Sequence, residues 1–401
     1  MVFQFLKNTF HIFECLAADI FYGFPGRKLT IIGVTGTDGK TTTVHLIYHI
    51  LKSVGKPVSM ISSIYADIGG KIAETGFHVT TPRPWQVRRY LKSAREAGST
   101  HFVLETTSHA IEQNRIWGIN FATSVITNVS HEHLYHHKSL ENYIKIKTSL
   151  LIHSREALIN KDTQSFDKIT EILQNQKKDY KTFSLKNSDA DFTWNSKIKT
   201  KIKGDFNKEN ILAAYSICLT LGMTQREIMN AITSFELPKG RLERVYDRDF
   251  KVIIDFAHTP HALERLLETV RKEFIKKNGR IIHVFGAASE RDDSKRPEMG
   301  EASGKYADII ILTEEDYRKE NIITICDQIA QGLKGYKFIK DKNYFVIADR
   351  SDAIEKAVMM AKKGDAVVVT GKSHERSLNR GGKEYPWDEY KAVRKALILK
   401  K

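Results

Sequence analysis

The sequence predicts an α/β protein: a central parallel-sheet domain followed by a smaller, Rossmann-like doubly wound domain. Three observations predict it. Apolar strand-like runs alternate with helical patterns from residue 29 onward, one of those strands leads through a Gly-rich turn straight into a helix, and the alternation restarts near residue 236. At 401 residues the chain can hold two or three domains with ordinary cores. Its 41% hydrophobic and 28% charged residues exclude a disordered chain.

Residues 1–27 come first. Phe3, Leu6, Phe10, Phe13, Ala17, Ile20 and Phe21 recur at helical spacing, which predicts an amphipathic helix. Lys7, His11, Glu14 and Asp19 make it too polar to span a bilayer, which takes about 20 apolar residues. The segment also lacks the basic start and small-residue cleavage site of a signal peptide. Packing on the following domain is the simpler expectation; peripheral contact of residues 1–25 with a membrane surface is the other.

Residues 28–235 form the central domain. LTIIGVTG reads as a buried strand, TTTVHLIYHILKSV as a helix, and PVSMISSI, HFVLET and ATSVITNV as further strands; residues 204–234 read as helical. Residues 236–401 form the second domain, with strand-like runs KVIIDFAH, RIIHVFGA, ADIIILTEED, YFVIAD and DAVVVTGK separated by helical stretches.

The net charge of +15 favours anionic ligands, but the lysines are scattered and no nucleic-acid module accompanies them. Small molecules, and no nucleic acid, are the expected partners. Cys15, Cys218 and Cys326 form no CxxC and no metal spacing, so free thiols in the reducing cytoplasm are expected.

The turn between the first strand and helix carries the chemistry. Gly36-Thr37-Asp38-Gly39-Lys40-Thr41-Thr42 has the strand–turn–helix setting of a P-loop, which makes this an ATPase-type domain. Glycines let backbone N–H groups close on phosphate oxygens, and the helix N-terminus adds partial positive charge. Lys40 is placed to reach the β- and γ-phosphates, and the Thr41 hydroxyl to ligate Mg²⁺. Val34 occupies the first glycine position of the strict GxxxxGK[ST] pattern. Glu105 ends the strand HFVL, where open α/β sheets bind ligands; an exposed loop acid is the bland alternative. Lys147 falls on the apolar stripe Leu140, Tyr143, Ile144, Leu150 and Leu151, whereas Lys145 falls off it. A buried ammonium is costly, so Lys147 should be paired, neutral or modified unless it snorkels to the surface.

GTDGKTTT resembles the GT[N/D]GKT signature of the Mur ligase superfamily. LETTSHAIEQNRI, TNVSHEHLYHH, ENYIKIK, FNKENILAA, GRLERV, IDFAHTPHAL, VFGAASERDDSKRPEMG and TGKSHE follow in the order found in its tripeptide-synthetase branch, over roughly residues 28–401. The resemblance implies an ATP-dependent, ADP-forming ligase that adds the third amino acid to a muramyl-dipeptide acceptor in cell-wall synthesis. It implies ATP and two Mg²⁺ ions as cofactors, with Glu105 and Thr41 at the metal, His133 at a second metal, and a carbamylated lysine at Lys147. Arg241 would meet the γ-phosphate, Asp255 the ribose and Asn210 the border of the adenine. Thr80, Thr81, Ser108 and Arg115 resemble acceptor-binding positions.

For the incoming amino acid the resemblance points to Arg291, Asp316, Arg318, Gly371 and Glu375. The family's DNPR motif is here Glu315-Asp316-Tyr317-Arg318, and Ser373 replaces the usual glycine of GKGHE. The retained arginine favours meso-diaminopimelate over lysine, while the acids at 314–316 pull toward a cationic side chain. The family's N-terminal domain, which grips uridine diphosphate, has no counterpart here; the Phe-rich helix stands in its place. Two alternatives stay open: a ligase resembling folylpolyglutamate or cyanophycin synthetases, and a nucleotide-binding partner that no longer ligates.

Overall fold

The computed structural model describes the chain except residues 1, 74–79, 131–138, 277, 291 and 401, and of residues 2–7 it describes the backbone alone. The chain divides into two compact units, one ending at Glu236 and the other beginning at Leu237.

The first unit opens with α1 (Val2–Phe21), then β1 (Thr30–Thr35) and α2 (Lys40–Ser53). There follow β2 (Val58–Ile61), β3 (Ala66–Ile68), β4 (Lys71–Ala73), α3 (Pro84–Glu96), β5 (His101–Glu105), α4 (Ser108–Glu112) and β6 (Phe121–Ile126). It closes with α5 (Leu140–Ile152), β7 (Ser154–Asn160), α6 (Phe166–Asn175), β8 (Lys181–Ser184), β9 (Phe192–Thr193), α7 (Asp205–Thr220) and α8 (Gln225–Ser234). Among the described residues these strands make one nine-stranded sheet, in the order β4-β3-β2-β5-β1-β6-β7-β8-β9. It is parallel from β2 to β9, and β3 and β4 add an antiparallel edge.

The central strands are buried on both faces, as parallel strands covered by helices must be. β1 lies between β5 and β6, with Val34 opposite both Glu105 and Val125. The turn after β1, the end of β5 and the loop after β6 therefore meet at the carboxyl edge of the sheet, beside a switch in strand order. The helices begin where their sequences provide a cap. Ser139 accepts from Asn142 N to start α5, Thr224 and Glu227 form a capping box on α8, and Pro84 opens α3.

Two expectations change in detail. The run PVSMISSI does not stay a strand: Ser62 Oγ bonds to Tyr65 O and receives Ile64 N, which turns the chain after Ile61. SREALIN, unread as a strand, forms β7: it pairs in parallel with β6, and Ala157, Leu158, Ile159 and Asn160 are all buried.

The second unit contains β10 (Glu243–Asp247), β11 (Lys251–Asp255), α9 (Pro260–Glu273), β12 (Ile281–Phe285), α10 (Lys295–Tyr306), β13 (Ile309–Leu312) and α11 (Ile322–Gln331). After them come β14 (Tyr344–Val346), α12 (Arg350–Met360), β15 (Ala366–Thr370), β16 (Ser377–Arg380), β17 (Lys383–Pro386) and α13 (Glu389–Leu399). Its main sheet runs β10-β11-β15-β12-β13-β14, parallel except for β10. The doubly wound expectation is met, with one core built from Val252, Ile254, Ile282, Val284, Ile311, Val367 and Val369 and the apolar faces of α12 and α13.

Candidate active site

The turn after β1 needs its glycines. Gly39 has φ +81°, and a Cβ there would stand 2.1 Å from Asn210 Oδ1. A Cβ on Gly36 would lie 1.9 Å from Thr127 Oγ1. The turn is staked to the loop after β6: Thr37 N donates to Asn128 O at 2.9 Å, and Asp38 N donates to Asn128 Oδ1 at 3.0 Å. Thr127 Oγ1 and Asn128 Nδ2 both donate to Asp38 O, at 2.7 and 3.1 Å. The turn is thus held from outside, which leaves it preformed. Thr41 and Thr42 lie buried in the first turn of α2.

Around this turn five side chains converge: Thr41, Ser63, Glu105, Lys147 and Lys40. Thr41 Oγ1 donates to Glu105 Oε1 at 3.0 Å and lies 2.8 Å from Ser63 Oγ. Ser63 N in turn donates to Glu105 Oε2 at 2.8 Å. Lys147 is 1% exposed, so it does not snorkel, and its Nζ donates to Gly36 O at 2.6 Å. Lys40 Nζ donates to the same oxygen at 2.9 Å and to Thr37 O at 2.7 Å. Two ammonium groups thus share one carbonyl, an arrangement that like-charge repulsion opposes unless an anion joins it or one lysine changes charge. Asn210, on α7, packs against Gly39.

Mg²⁺ fits this donor set. It is a hard cation that takes one or two carboxylates, keeps several waters and completes its shell with substrate phosphate. Thr41, Ser63 and Glu105 offer oxygen alone. Among the described residues no group of three His, Cys, Asp or Glu side chains gathers anywhere, so hydroxyl oxygens and substrate have to complete the shell. The expected second-metal residue His133 lies outside the described residues.

The expected acceptor residues lie next to Glu105. Thr81 Oγ1 donates to Glu105 O at 2.9 Å and receives Thr107 N at 3.0 Å. Ser108 opens α4, capped by Thr107, and Thr80 is half-buried beside Thr81. Arg115 donates to Gln113 Oε1 and Thr81 O, both neutral. Burial, and behind it Arg83, pulls the Arg115 guanidinium below its usual value, the strain of a cation that an incoming anion would relieve.

In the second unit, Asp255 ends β11 and folds back on its own turn. Its Oδ2 accepts Leu242 N at 2.6 Å and its Oδ1 accepts Ala257 N at 2.7 Å. Arg241 stacks on Phe256, 4.7 Å from the ring centre. At the ends of β13 and β15 a charged cluster forms around Lys372, which is fully buried. Lys372 Nζ meets Asp316 Oδ1 at 2.9 Å and Glu375 Oε2 at 2.5 Å. Burial works against that ammonium, but Glu375 and Asp316 outweigh it and raise its proton affinity. Glu314 is taken by Arg380. Glu315 Oε2 is buried with no hydrogen-bond partner among the described residues, 2.8 Å from where a Cβ of Gly371 would stand. Arg318 donates to Ser289 O, and its Nε lies 3.8 Å from Glu290. Arg291 lies outside the described residues.

Sequence reasoning left Ser63, Thr127, Asn128 and Lys372 without roles. Ser63 carried no signal, because a strand read through to Ile64 hides the turn that aims it. Lys372 follows the end of the apolar strand β15 by two residues, and its role depends on Asp316, which is distant in the chain.

Comparison with known proteins follows the same lines. Residues 34–218 match the Mur ligase middle domain and residues 240–373 the Mur ligase, glutamate ligase domain. The chain is 38% identical over 396 residues to the UDP-N-acetylmuramoyl-L-alanyl-D-glutamate--2,6-diaminopimelate ligase of Aquifex aeolicus, covering 95% of this chain and 80% of that one. It is 34% identical over 409 residues to the UDP-N-acetylmuramyl-tripeptide synthetase of Borreliella burgdorferi, covering 95% and 79%. A solved UDP-N-acetylmuramoyl-L-alanyl-D-glutamate--2,6-diaminopimelate ligase superposes with a TM-score of 0.60 at 28% identity, covering 93% of this chain and 79% of the other. With a preformed phosphate turn, a hydroxyl–carboxylate pair suited to Mg²⁺ and relatives matched along nearly its whole length, the chain belongs to the Mur ligases, ATP- and Mg²⁺-dependent enzymes that form amide bonds with release of ADP.

Proposed function

We propose that this chain adds meso-diaminopimelate, as the third amino acid, to UDP-N-acetylmuramoyl-L-alanyl-D-glutamate in peptidoglycan synthesis. The observation that carries the ligase chemistry is the Thr41–Glu105 pair, 3.0 Å apart beside a turn whose Gly36 carbonyl holds two lysines.

The glutamate carboxylate of the acceptor attacks the γ-phosphorus of ATP, forming an acyl phosphate and releasing ADP. The amine of the amino acid then attacks the acyl carbon and phosphate leaves. Such transfers need positioning and charge neutralisation more than a protein nucleophile. The turn at 36–41 orients the triphosphate with backbone N–H groups, and Lys40 swings from the carbonyls of Gly36 and Thr37 to phosphate oxygen. Asn210 borders the base, and Arg241 and Asp255 are nucleotide-binding residues of the second unit. When bound, Mg²⁺ neutralises charge on the phosphate oxygens. Thr41, Ser63 and Glu105 would hold one ion. Lys147 would give up its ammonium proton, add CO₂ at the free amine and release a second proton, and the resulting carboxylate would, with His133, hold a second ion. Arg115, Thr81, Thr80 and Ser108 receive the acceptor, and Arg115 gains the anion that its burial calls for.

Diaminopimelate is favoured over lysine because the acids that argued for a cationic side chain are already committed. Glu314 answers Arg380, and Asp316 answers Lys372. Glu315, whose Oε2 has no hydrogen-bond partner among the described residues, is left to receive an ammonium beside the Lys372-paired Glu375, and Arg318 and Arg291 to receive the distal carboxylate. A site built to pair a charge discriminates strongly against a substrate lacking it. The test is ADP release by the purified protein with UDP-linked muramyl dipeptide and either diaminopimelate or lysine. Turnover should require acceptor and amino acid together and prefer diaminopimelate by about 10²-fold or more. Preference for lysine would overturn the substrate assignment, and turnover on a folate acceptor would overturn the cell-wall reading.

A further inference from the structure

The helix α1 is mounted on the first unit by its polar side. His11, Cys15 and Ala18 are buried beneath it, and Cys15 Sγ donates to Asn114 O and Arg115 O at 3.3 and 3.4 Å. Asp19 pairs with the fully buried Arg88 at 3.1 Å, and Arg88 also donates to Arg115 O and Trp117 O. These ties fix which side of α1 faces out. The outward side carries Phe10, Phe13, Leu16, Ala17, Ile20 and Phe21, with no charged residue among them. Phe13 is 65% exposed, Ile20 63% and Phe21 71%. Trp85, on α3, extends this surface, with its ring 5.8 Å from that of Phe21; the exposed Trp117 sits on the turn that Arg88 ties to α1.

A soluble surface rarely gathers this much aromatic and branched area in one place. Its border is basic. Arg27, Lys28, Arg83 and Arg89 are exposed, and Lys92 lies 5.7 Å over the ring of Tyr22. The acids nearby are engaged: Glu14 with His11, Asp19 with Arg88 and Glu96 with Lys92. No described helix is long and apolar enough to cross a membrane.

We propose that the outward face of α1, with Trp85 and Trp117, docks in the plane of an anionic phospholipid bilayer. An apolar stripe rich in Phe and Trp enters the boundary between headgroups and acyl chains, and a basic border meets anionic headgroups. A second copy of the chain fits less well, because a two-fold contact would set the basic border against itself. The Arg115 backbone that receives Cys15 belongs to the residue proposed to bind the acceptor, so docking would hold the acceptor end of the first unit at the lipid surface. The proposal does not depend on which substrate is ligated.

Flotation of the full chain with phospholipid vesicles tests it. The protein should float with vesicles containing phosphatidylglycerol, bind pure phosphatidylcholine at least about tenfold more weakly, and dissociate as salt is raised. The Phe13→Asp/Ile20→Asp variant should lose at least about tenfold in partitioning while keeping its ligase activity on the UDP-linked acceptor. Arg27→Glu/Lys28→Glu, which alters exposed residues outside the helix, gives a second reading if the first variant misfolds, and it should also weaken binding. Wild-type protein that ignores anionic vesicles, or variants that bind as well as wild type, would overturn the proposal. A wild-type dimer that Phe13→Asp/Ile20→Asp splits, with no flotation, would assign the face to self-association instead.

Discussion

Lys147 and Lys40 set the chemistry at the smallest scale. Each donates to Gly36 O, at 2.6 and 2.9 Å, and Lys147 has no route to solvent. If Lys147 works as a carbamate, Lys147→Ala removes an anion rather than a cation. Its turnover should fall by about 10²–10³-fold, the scale for losing one preorganised charged group, and acetate or another short carboxylate should restore part of it. Loss without any carboxylate rescue would assign Lys147 to structure alone. Ser63→Ala keeps the backbone N–H that holds Glu105 but removes the hydroxyl 2.8 Å from Thr41. The Mg²⁺ concentration for half-maximal rate should rise about 10–100-fold, with maximal turnover little changed. Lys147 was legible in the sequence because helical periodicity places residue 147 on a buried stripe. Ser63 and Lys372 were not, since each depends on a partner more than forty residues away in the chain.

At the scale of elements, the polar groups inside the second unit join the ends of strands and helices. Arg350, at the start of α12, donates to Glu389 at the start of α13 (2.7 and 2.9 Å) and to Thr370 O at the end of β15 (2.6 Å). Both partners of the ion pair are fully buried. Burial alone would weaken the Arg350 charge, and the Glu389 carboxylate more than restores it. Arg350→Met leaves Glu389 buried and uncompensated, which should cost about 3–5 kcal/mol in urea unfolding. His283, in the middle of β12, is held by Ser303 Oγ at 2.8 Å and Thr370 Oγ1 at 3.0 Å. Burial, with Arg350 nearby, lowers it from 6.5 to about 3. The unfolded chain therefore binds a proton in that window that the native chain does not, so stability falls as pH drops from 6.5 toward 3. From pH 7 to 5 this group alone should remove about 2 kcal/mol, and in His283→Gln that share of the pH dependence should vanish. The parallel strands of this unit were legible, because continuous apolar runs such as DAVVVTGK have few other uses, whereas the partly or wholly exposed antiparallel β10, β16 and β17 were not. The Arg350–Glu389 join was not, because nothing local in either helix announces the other.

The whole molecule consists of two compact units, and the restart near residue 236 is visible in the sequence as a second series of buried strands. The order in which the strands pair was not legible, because apolar runs of similar length and composition are interchangeable until helices and loops choose their neighbours. Two units with separate cores should unfold in two calorimetric transitions. Arg350→Met, whose contacts lie wholly in the second unit, should lower one of them and leave the other in place. ATP with Mg²⁺ should raise at least the transition that Arg350→Met leaves alone, since Lys40, Thr41, Ser63 and Glu105 all belong to the first unit. At a nucleotide concentration about a hundred times its dissociation constant, the stabilisation is about 2.7 kcal/mol. For units of this size that amounts to roughly 5–10 °C. Lys40→Ala should abolish the rise without moving either transition in the absence of nucleotide, because Lys40 bonds only to carbonyls of its own turn among the contacts described. A nucleotide shift that survives Lys40→Ala would move the triphosphate away from the turn at 36–41, and with it the reading of Thr41 and Glu105 as metal-binding oxygens.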